Sequence, residues 1–340
     1  MIELTYEQKQ IVESPEKKIV VMSAAASGKT VCLIERVRWI LKQGGEPTKM
    51  VCITFTNNSA DEMKARLADD YKEGMFIGTV HSYANYLLNS YGVDTKSIRD
   101  SEDFDELFEL IMENPGAIKP IGFLALDEAQ DSNNNQFEFI FDMLQPKAFI
   151  VLGDVRQSIY GFNNANPKLI LRLCREDDIT VYDMTENHRN GKEIIKYSNW
   201  ILDKMKDIPK TPVVGTRNEK GYIGKVGESQ FIKLIEKSDE NYGSWTILCR
   251  TNKRIQQILG KLKSAGIPAI TFRQAQGDVS ELKEKMRENS VKVLTIHSAK
   301  GLEWDNVIVA DQSWRGEENL RLMYVAATRA RNKLYWVQGY

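Results

Sequence analysis

The stretch that most limits what this chain can fold into is Ser23-Ala24-Ala25-Ala26-Ser27-Gly28-Lys29-Thr30. It follows the apolar run Ile19-Val20-Val21-Met22 and opens the helical pattern Val31-Cys32-Leu33-Ile34-Glu35-Arg36-Val37. Strand, small-residue loop and helix in that order make a cradle for phosphate. Backbone N–H groups, here from Ser23, Ala24, Ala26, Ser27 and Gly28, point at the anion, and the helix dipole favours it. Lys29 then reaches the β- and γ-phosphates of a nucleotide, and the Thr30 hydroxyl ligates Mg²⁺. The alternative is an ordinary strand-to-helix turn of an α/β core. Ser23 stands where such loops usually carry their first glycine.

A second string points the same way. Phe123-Leu124-Ala125-Leu126 is a short apolar run of buried-strand type, and it ends in Asp127-Glu128-Ala129-Gln130-Asp131. Mg²⁺ keeps waters and uses few protein ligands, so one carboxylate at a strand end, Asp127, suits it. Glu128 then polarises the attacking water as general base. Taken alone, the string also reads as an acidic surface turn.

Composition excludes some classes. Lys and Arg number 46 and Asp and Glu 47, so the chain as a whole advertises no polyanion partner, although a local cleft remains open. A chain of 340 residues with 42% apolar content is long enough for two cores. Cys32, Cys52, Cys174 and Cys249 are far apart without metal-type spacing, and read as buried, reduced thiols. The N-terminus lacks the pattern of a signal peptide and no apolar run reaches membrane-spanning length, so a cytoplasmic, intracellular location is expected.

Along the chain, apolar runs alternate with helical patterns, which predicts an α/β fold with parallel sheets. Strands are expected at 18–23, 50–55, 76–80, 121–126, 148–153 and 179–183, with helices at about 28–43, 57–70, 81–91, 102–113, 133–144 and 166–175. A second series begins near Thr185: a helix at about 190–205, strands at 245–249, 268–272, 291–296, 305–310 and 333–338, and helices at 252–265 and 317–327. The segment from Asp207 to Gly227 reads as loop and strand edge. Two domains, 1–184 and 185–340, are expected.

Read in order, these strings resemble the motif series of superfamily 1 helicases of the UvrD/Rep/PcrA type. The resemblance covers nearly the whole chain. It runs through Leu4-Thr5-Tyr6-Glu7-Gln8, the phosphate loop, Ile53-Thr54-Phe55-Thr56-Asn57, and Gly78-Thr79-Val80-His81-Ser82. It continues through Asp127 to Asp131, Leu152-Gly153-Asp154, and Gln157-Ser158-Ile159-Tyr160-Gly161-Phe162. Thr185-Glu186-Asn187-His188-Arg189, Thr295 to Trp304, and Tyr324-Val325-Ala326-Ala327-Thr328-Arg329-Ala330 close the set.

The resemblance implies two RecA-like P-loop NTPase domains with ATP between them. Gln8 would read adenine and Gln157 would sense the γ-phosphate. Arg189 and Arg329 would act as arginine fingers, since guanidinium matches phosphate oxygens bidentately. Neither arginine belongs to an expected core face. Gly301 would sit by the nucleotide, and Glu303 would meet its ribose and phosphates. His188 would face the base, where the family commonly has tyrosine. Phe55, Thr56, His81, Tyr160, Phe162, His297 and Ser298 would line a single-strand track, with aromatic rings as stacking platforms. Large inserted subdomains look reduced or absent: about 45 residues separate His81 from Asp127, room for a short insert at about 83–120. The strand-separating hairpin that follows the last motif in relatives has no counterpart before Tyr340.

The expected function is therefore an ATP- and Mg²⁺-dependent single-stranded DNA translocase or helicase, by resemblance moving 3′ to 5′. Its substrate would be single-stranded DNA or a junction, with a protein partner supplying a wedge or targeting. The competing reading is a nucleotide-dependent DNA-binding switch or loader that regulates a nuclease or replication protein.

Overall fold

The computed structural model describes residues 3–96, 98, 105–161, 164–206, 208–238, 241–272, 284–311 and 316–338. The chain divides into two compact units. One comprises Met1–Ser23 and Gly28–Met184; the other comprises Ala24–Ser27 and Thr185–Tyr340.

In the first unit, β1 (Lys18–Ser23), β2 (Met50–Thr54), β3 (Phe76–Thr79), β4 (Phe123–Leu126), β5 (Phe149–Gly153) and β6 (Thr180–Met184) form one sheet. The order is β3-β2-β4-β5-β1-β6 and every neighbouring pair is parallel. Runs such as Ile19-Val20-Val21 and Ile150-Val151-Leu152 are fully buried, as strands covered on both faces by crossover helices must be. Helix Lys29–Lys42 turns Cys32, Leu33, Ile34 and Val37 onto this core. Its buried Arg36 donates to the carbonyls of Val12 (2.9 Å), Ser14 (2.6 Å) and Glu16 (2.9 Å), which ties down the end of the N-terminal helix Tyr6–Val12.

In the second unit, β7 (Glu186–Asn187) and β8 (Val214–Gly215) form a two-stranded ribbon. The main sheet contains β9 (Tyr222–Gly227), β10 (Trp245–Cys249), β11 (Ala269–Ile270), β12 (Val291–Thr295), β13 (Trp304–Val309) and β14 (Ala330–Gln338). It runs in the order β11-β12-β10-β13-β14-β9, again all parallel. One face packs on helix Asn252–Ser264 through Ile255, Ile258 and Leu262.

Most expected elements form within one to three residues of their expected bounds. Helix Tyr6–Val12 and helix Phe231–Glu236 were not expected, while the segment read as loop and strand edge holds β9. β9 carries Gly224, Lys225 and Gly227, a weak strand pattern that suits the sheet edge it occupies. The expected helix at 133–144 is α-helical over Asn134–Glu138 and continues as a π turn over Phe139–Met143. Of the expected helix at 102–113, residues Glu106–Glu113 are described.

The cysteines are unpaired. Cys32, Cys52 and Cys249 are buried as expected, whereas Cys174 is only partly covered. Burial pushes the thiols of the first three up to about 12 and that of Cys174 to about 11. Alkylation of the folded protein at mildly alkaline pH should therefore modify Cys174 first and spare the other three. Peptide mapping that found Cys32 labelled as fast as Cys174 would contradict this packing.

Candidate functional site

In a parallel sheet, the loops that leave the C-terminal ends of the strands share one edge, the usual place for ligands in open α/β sheets. Five of the expected strings in the first unit begin at such ends: after Ser23 (β1), Thr54 (β2), Thr79 (β3), Leu126 (β4) and Gly153 (β5). The topology alone thus gathers Lys29, Phe55, His81, Asp127, Glu128, Gln157 and Tyr160 along one edge.

The phosphate loop is shaped by two left-handed residues, Ala26 (φ 58°) and Gly28 (φ 80°). Gly28 is favoured by its φ, one that side chains avoid; a Cβ there would lie 2.5 Å from Gln8 Nε2, which the flexible glutamine could relieve by moving. Ser23, in the place of the usual glycine, is fully buried and donates to the Gly153 carbonyl (3.1 Å), so it ties β1 to β5. Ala24 and Ser27 are buried beside it in sequence. Gln8 also closes a capping box with Thr5: its Oε1 accepts from Thr5 N (3.1 Å), and its own N–H donates to Thr5 Oγ1 (3.4 Å).

Lys29 Nζ lies 3.4 Å from Glu128 Oε1, and Thr30 Oγ1 lies 3.5 Å from Asp127 Oδ2. Glu128 itself has φ 53°, a left-handed conformation rare for a non-glycine residue and concentrated at functional sites. Burial raises the Asp127 carboxyl to about 6, Glu128 adds to the rise, and Lys29 opposes it. A buried carboxylate and a hydroxyl side by side, with incomplete charge compensation, fit a hydrated divalent cation. Gln157 is buried and donates through Nε2 to Asp154 Oδ2 (2.7 Å).

On the same edge, the Phe55 and Tyr160 rings stack, with centroids 5.5 Å apart and planes inclined by 28°. Both are partly exposed. Thr56 is exposed and caps helix Asn57–Leu67 through Ser59 N (3.2 Å). His81 is anchored by an aromatic ring and a carboxylate. Its ring stacks on Phe108 (5.3 Å), its Nε2 lies 3.5 Å from Asp105 Oδ1, and burial lowers its pKa against the pull of that carboxylate. Phe162 lies outside the described residues.

In the second unit the expected residues fall at two opposite edges of the sheet. His297 and Ser298 follow the C-terminal end of β12. Ser298 N donates to Thr295 Oγ1 (3.0 Å), and Thr295 and Ser298 line a groove of about 320 Å³ with Asn252, Gln256, Phe272 and Lys285. Glu303 and Arg329 instead precede the N-terminal ends of β13 and β14. Glu303 bridges two guanidinium groups, Arg189 through Oε2 and Arg331 through Oε1. Burial would raise its pKa, but the two arginines overcome this and lower it. Gly301 forms an exposed left-handed turn (φ 85°) just before it. His188 bonds Thr216 Oγ1 through Nδ1 (2.9 Å) and lies 3.4 Å from Glu186 through Nε2.

Arg329 corrects the expectation that it belongs to no core face. It is 2% exposed and donates to Val325 O (3.0 Å), Leu302 O (3.1 Å) and Thr328 Oγ1 (3.1 Å). A guanidinium can be buried when its donors are met by carbonyls at a helix end, and helix Glu317–Thr328 ends there. Sequence reasoning gave no separate role to Arg331, Arg217 or Gln130. Arg331 sits one residue past the last matched motif and carries no signal of its own. Arg217 donates to the Arg189 carbonyl (2.5 Å), a contact between residues 28 apart that no local pattern announces.

Among the described residues no helix is long and apolar enough to cross a membrane, and no group of three or more His, Cys, Asp or Glu is placed to hold a metal.

Comparison with known proteins agrees with this layout. The chain is 26% identical to a putative ATP-dependent DNA helicase R568 of Acanthamoeba polyphaga mimivirus, over 95% of this chain and 51% of that protein. It is 22% identical to the Gabija protein GajB of Bacillus cereus, over 93% of this chain and 92% of that one. It is 23% identical to the ATP-dependent DNA helicase PcrA of Leuconostoc citreum, over 77% and 48%. The chain thus spans about half the length of the viral and PcrA relatives. The family described as UvrD-like helicase C-terminal domain matches residues 290–337. The UvrD/REP helicase N-terminal domain matches residues 4–121 and 118–178, more than half of the chain, which therefore belongs to the UvrD/REP helicase family.

Proposed function

We propose that the protein is a Mg²⁺-ATP-driven translocase or helicase on single-stranded DNA, moving 3′ to 5′. The observation that carries this reading is a shared edge. Lys29, Thr30, Asp127 and Glu128 converge at the strand ends that also carry the stacked Phe55 and Tyr160 rings. Nucleotide chemistry and a base-stacking platform are then served by loops of one rigid sheet.

Lys29 holds the β- and γ-phosphates, with backbone N–H groups from Ser23 to Gly28 around them. Thr30 and Asp127 would hold Mg²⁺, which neutralises phosphate charge when bound. Glu128 accepts a proton from the attacking water, and Gln157 senses the γ-phosphate. Arg189 stabilises charge on the transferred group, while Glu303 keeps that guanidinium placed. Arg329, bonded to Val325 O, Leu302 O and Thr328 Oγ1, anchors the start of β14, the strand that carries Arg331, and acts as a finger only if those bonds are released. Gln8 reads the base, and the family resemblance assigns His188 to the base as well. Thr56, His297 and Ser298 contact the strand, with Phe55 and Tyr160 as its platform.

The test is ATP turnover with and without single-stranded DNA, followed by directional strand displacement. A motor hydrolyses ATP repeatedly on the strand, whereas a nucleotide-dependent switch turns over slowly. Tyr160→Ala should weaken single-strand binding by about 1–3 kcal/mol, the worth of one stacked base. The salt dependence of binding, which counts phosphate contacts, should not move. Unchanged affinity would remove Tyr160 from the track.

A further inference from the structure

Gln130 is fully buried in the turn after β4, two residues beyond Glu128. Its side chain uses both ends of the amide. Nε2 donates to Glu128 Oε2, and Oε1 accepts from Asp154 N (2.9 Å), at the end of β5. Its carbonyl accepts from Ser158 Oγ (3.1 Å). The next links are short: Asp154 Oδ2 accepts from Gln157 Nε2 (2.7 Å), and Tyr160, two residues past Ser158, stacks on Phe55. Gly153 makes room for the amide, since a Cβ there would lie 3.0 Å from Gln130 Oε1 and 2.6 Å from Ile170 Cδ1.

From this geometry we infer that Gln130 is a positioning residue that couples strand engagement to hydrolysis. The inference rests on the motor reading above. The Glu128 carboxylate is held at both oxygens, Oε1 by Lys29 Nζ (3.4 Å) and Oε2 by Gln130, and the Lys29 side is the one that nucleotide phosphates would compete for. Gln130 supplies the remaining hold, and its other end is fastened to the loop that carries Gln157 and Tyr160. A buried amide whose donor and acceptor are both engaged cannot move at one end without disturbing the other. A base stacking on Tyr160 shifts the 154–160 loop, the shift passes through Asp154 N and Ser158 Oγ to Gln130, and Gln130 sets the Glu128 oxygen against water.

The test compares Gln130→Met, similar in length but without the amide, with the parent protein. The readouts are kcat and KM for ATP, with and without single-stranded DNA, DNA affinity and the unfolding midpoint. On the strand, kcat should fall by about 10–100-fold, the effect of an ångström-scale misplacement of a reacting group. KM should hold within about twofold, because Lys29 and Thr30 still hold the phosphates. The ratio of stimulated to basal turnover should collapse toward one while DNA still binds. Ser158→Ala loosens the loop end without touching the amide and should lower the same ratio by a smaller factor, so it decides the matter if Gln130→Met does not fold. A parent protein stimulated by DNA together with variants that keep its ratio overturns the coupling and leaves the motor reading standing. A parent protein that DNA does not stimulate overturns both.

Discussion

Glu128→Gln should lower ATP turnover by about 10²–10⁴-fold, the range for loss of a positioned general base, while nucleotide still binds. The glutamine keeps the volume and left-handed turn of the original residue but cannot take a proton. Lys29→Ala should behave differently. Lys29 Nζ is 3.4 Å from Glu128 Oε1 and follows the loop whose N–H groups we assign to the phosphates. Without its charge, nucleotide affinity and turnover both fall. Equilibrium binding of a fluorescent ATP analogue, measured beside phosphate release, separates the two outcomes. Normal turnover by Glu128→Gln would sink the assignment of the base.

The second large effect separates two arginines from matched motifs. Arg329→Ala removes a buried guanidinium and takes the donor from the Leu302 carbonyl, where an unsatisfied buried polar group costs about 1–3 kcal/mol; the Val325 carbonyl keeps the Thr328 hydroxyl (3.0 Å). A loss of about 1–3 kcal/mol in stability is expected, seen as a lower denaturant midpoint. Arg189→Ala should lower the midpoint less: its Nη1 donates to Thr328 O (3.3 Å), but Asn190 Nδ2 serves the same carbonyl (3.2 Å) and Glu303 keeps Arg331 as a partner. Its cost should appear in turnover, by about 10³–10⁵-fold if it serves as a finger. Equal loss of stability in the two variants would make Arg189 structural as well.

The legible parts of the candidate site were local strings against apolar runs. Lys29 and Thr30 follow a buried strand and start a helix; Asp127 and Glu128 end another strand. Neighbours in sequence stay neighbours in space there, so string and geometry carry the same information. Gln130 was visible as a member of its motif, but its grip on Asp154 spans 24 residues and depends on β4 and β5 lying side by side. His81 was legible as a motif residue, whereas its packing on Phe108 needed the return of a distant helix. The burial of Arg329 ran against its charge, and only Val325 O and Thr328 Oγ1 at the end of its helix, with Leu302 O from before β13, made burial tolerable.

Taken by itself, the sequence determined the α/β class, the parallel strands and the loops that carry chemistry. Apolar runs of strand length between amphipathic helices can bury themselves in few other ways. The tertiary structure decided which partner each polar side chain has: Glu303 between Arg189 and Arg331, Ser23 on the Gly153 carbonyl, Gln130 between Glu128 and Asp154. Hydrophobic burial is roughly additive along the chain and leaves a periodic trace. A hydrogen bond or ion pair depends on distance and angle between groups far apart in sequence, and those exist only once the strands have found their order.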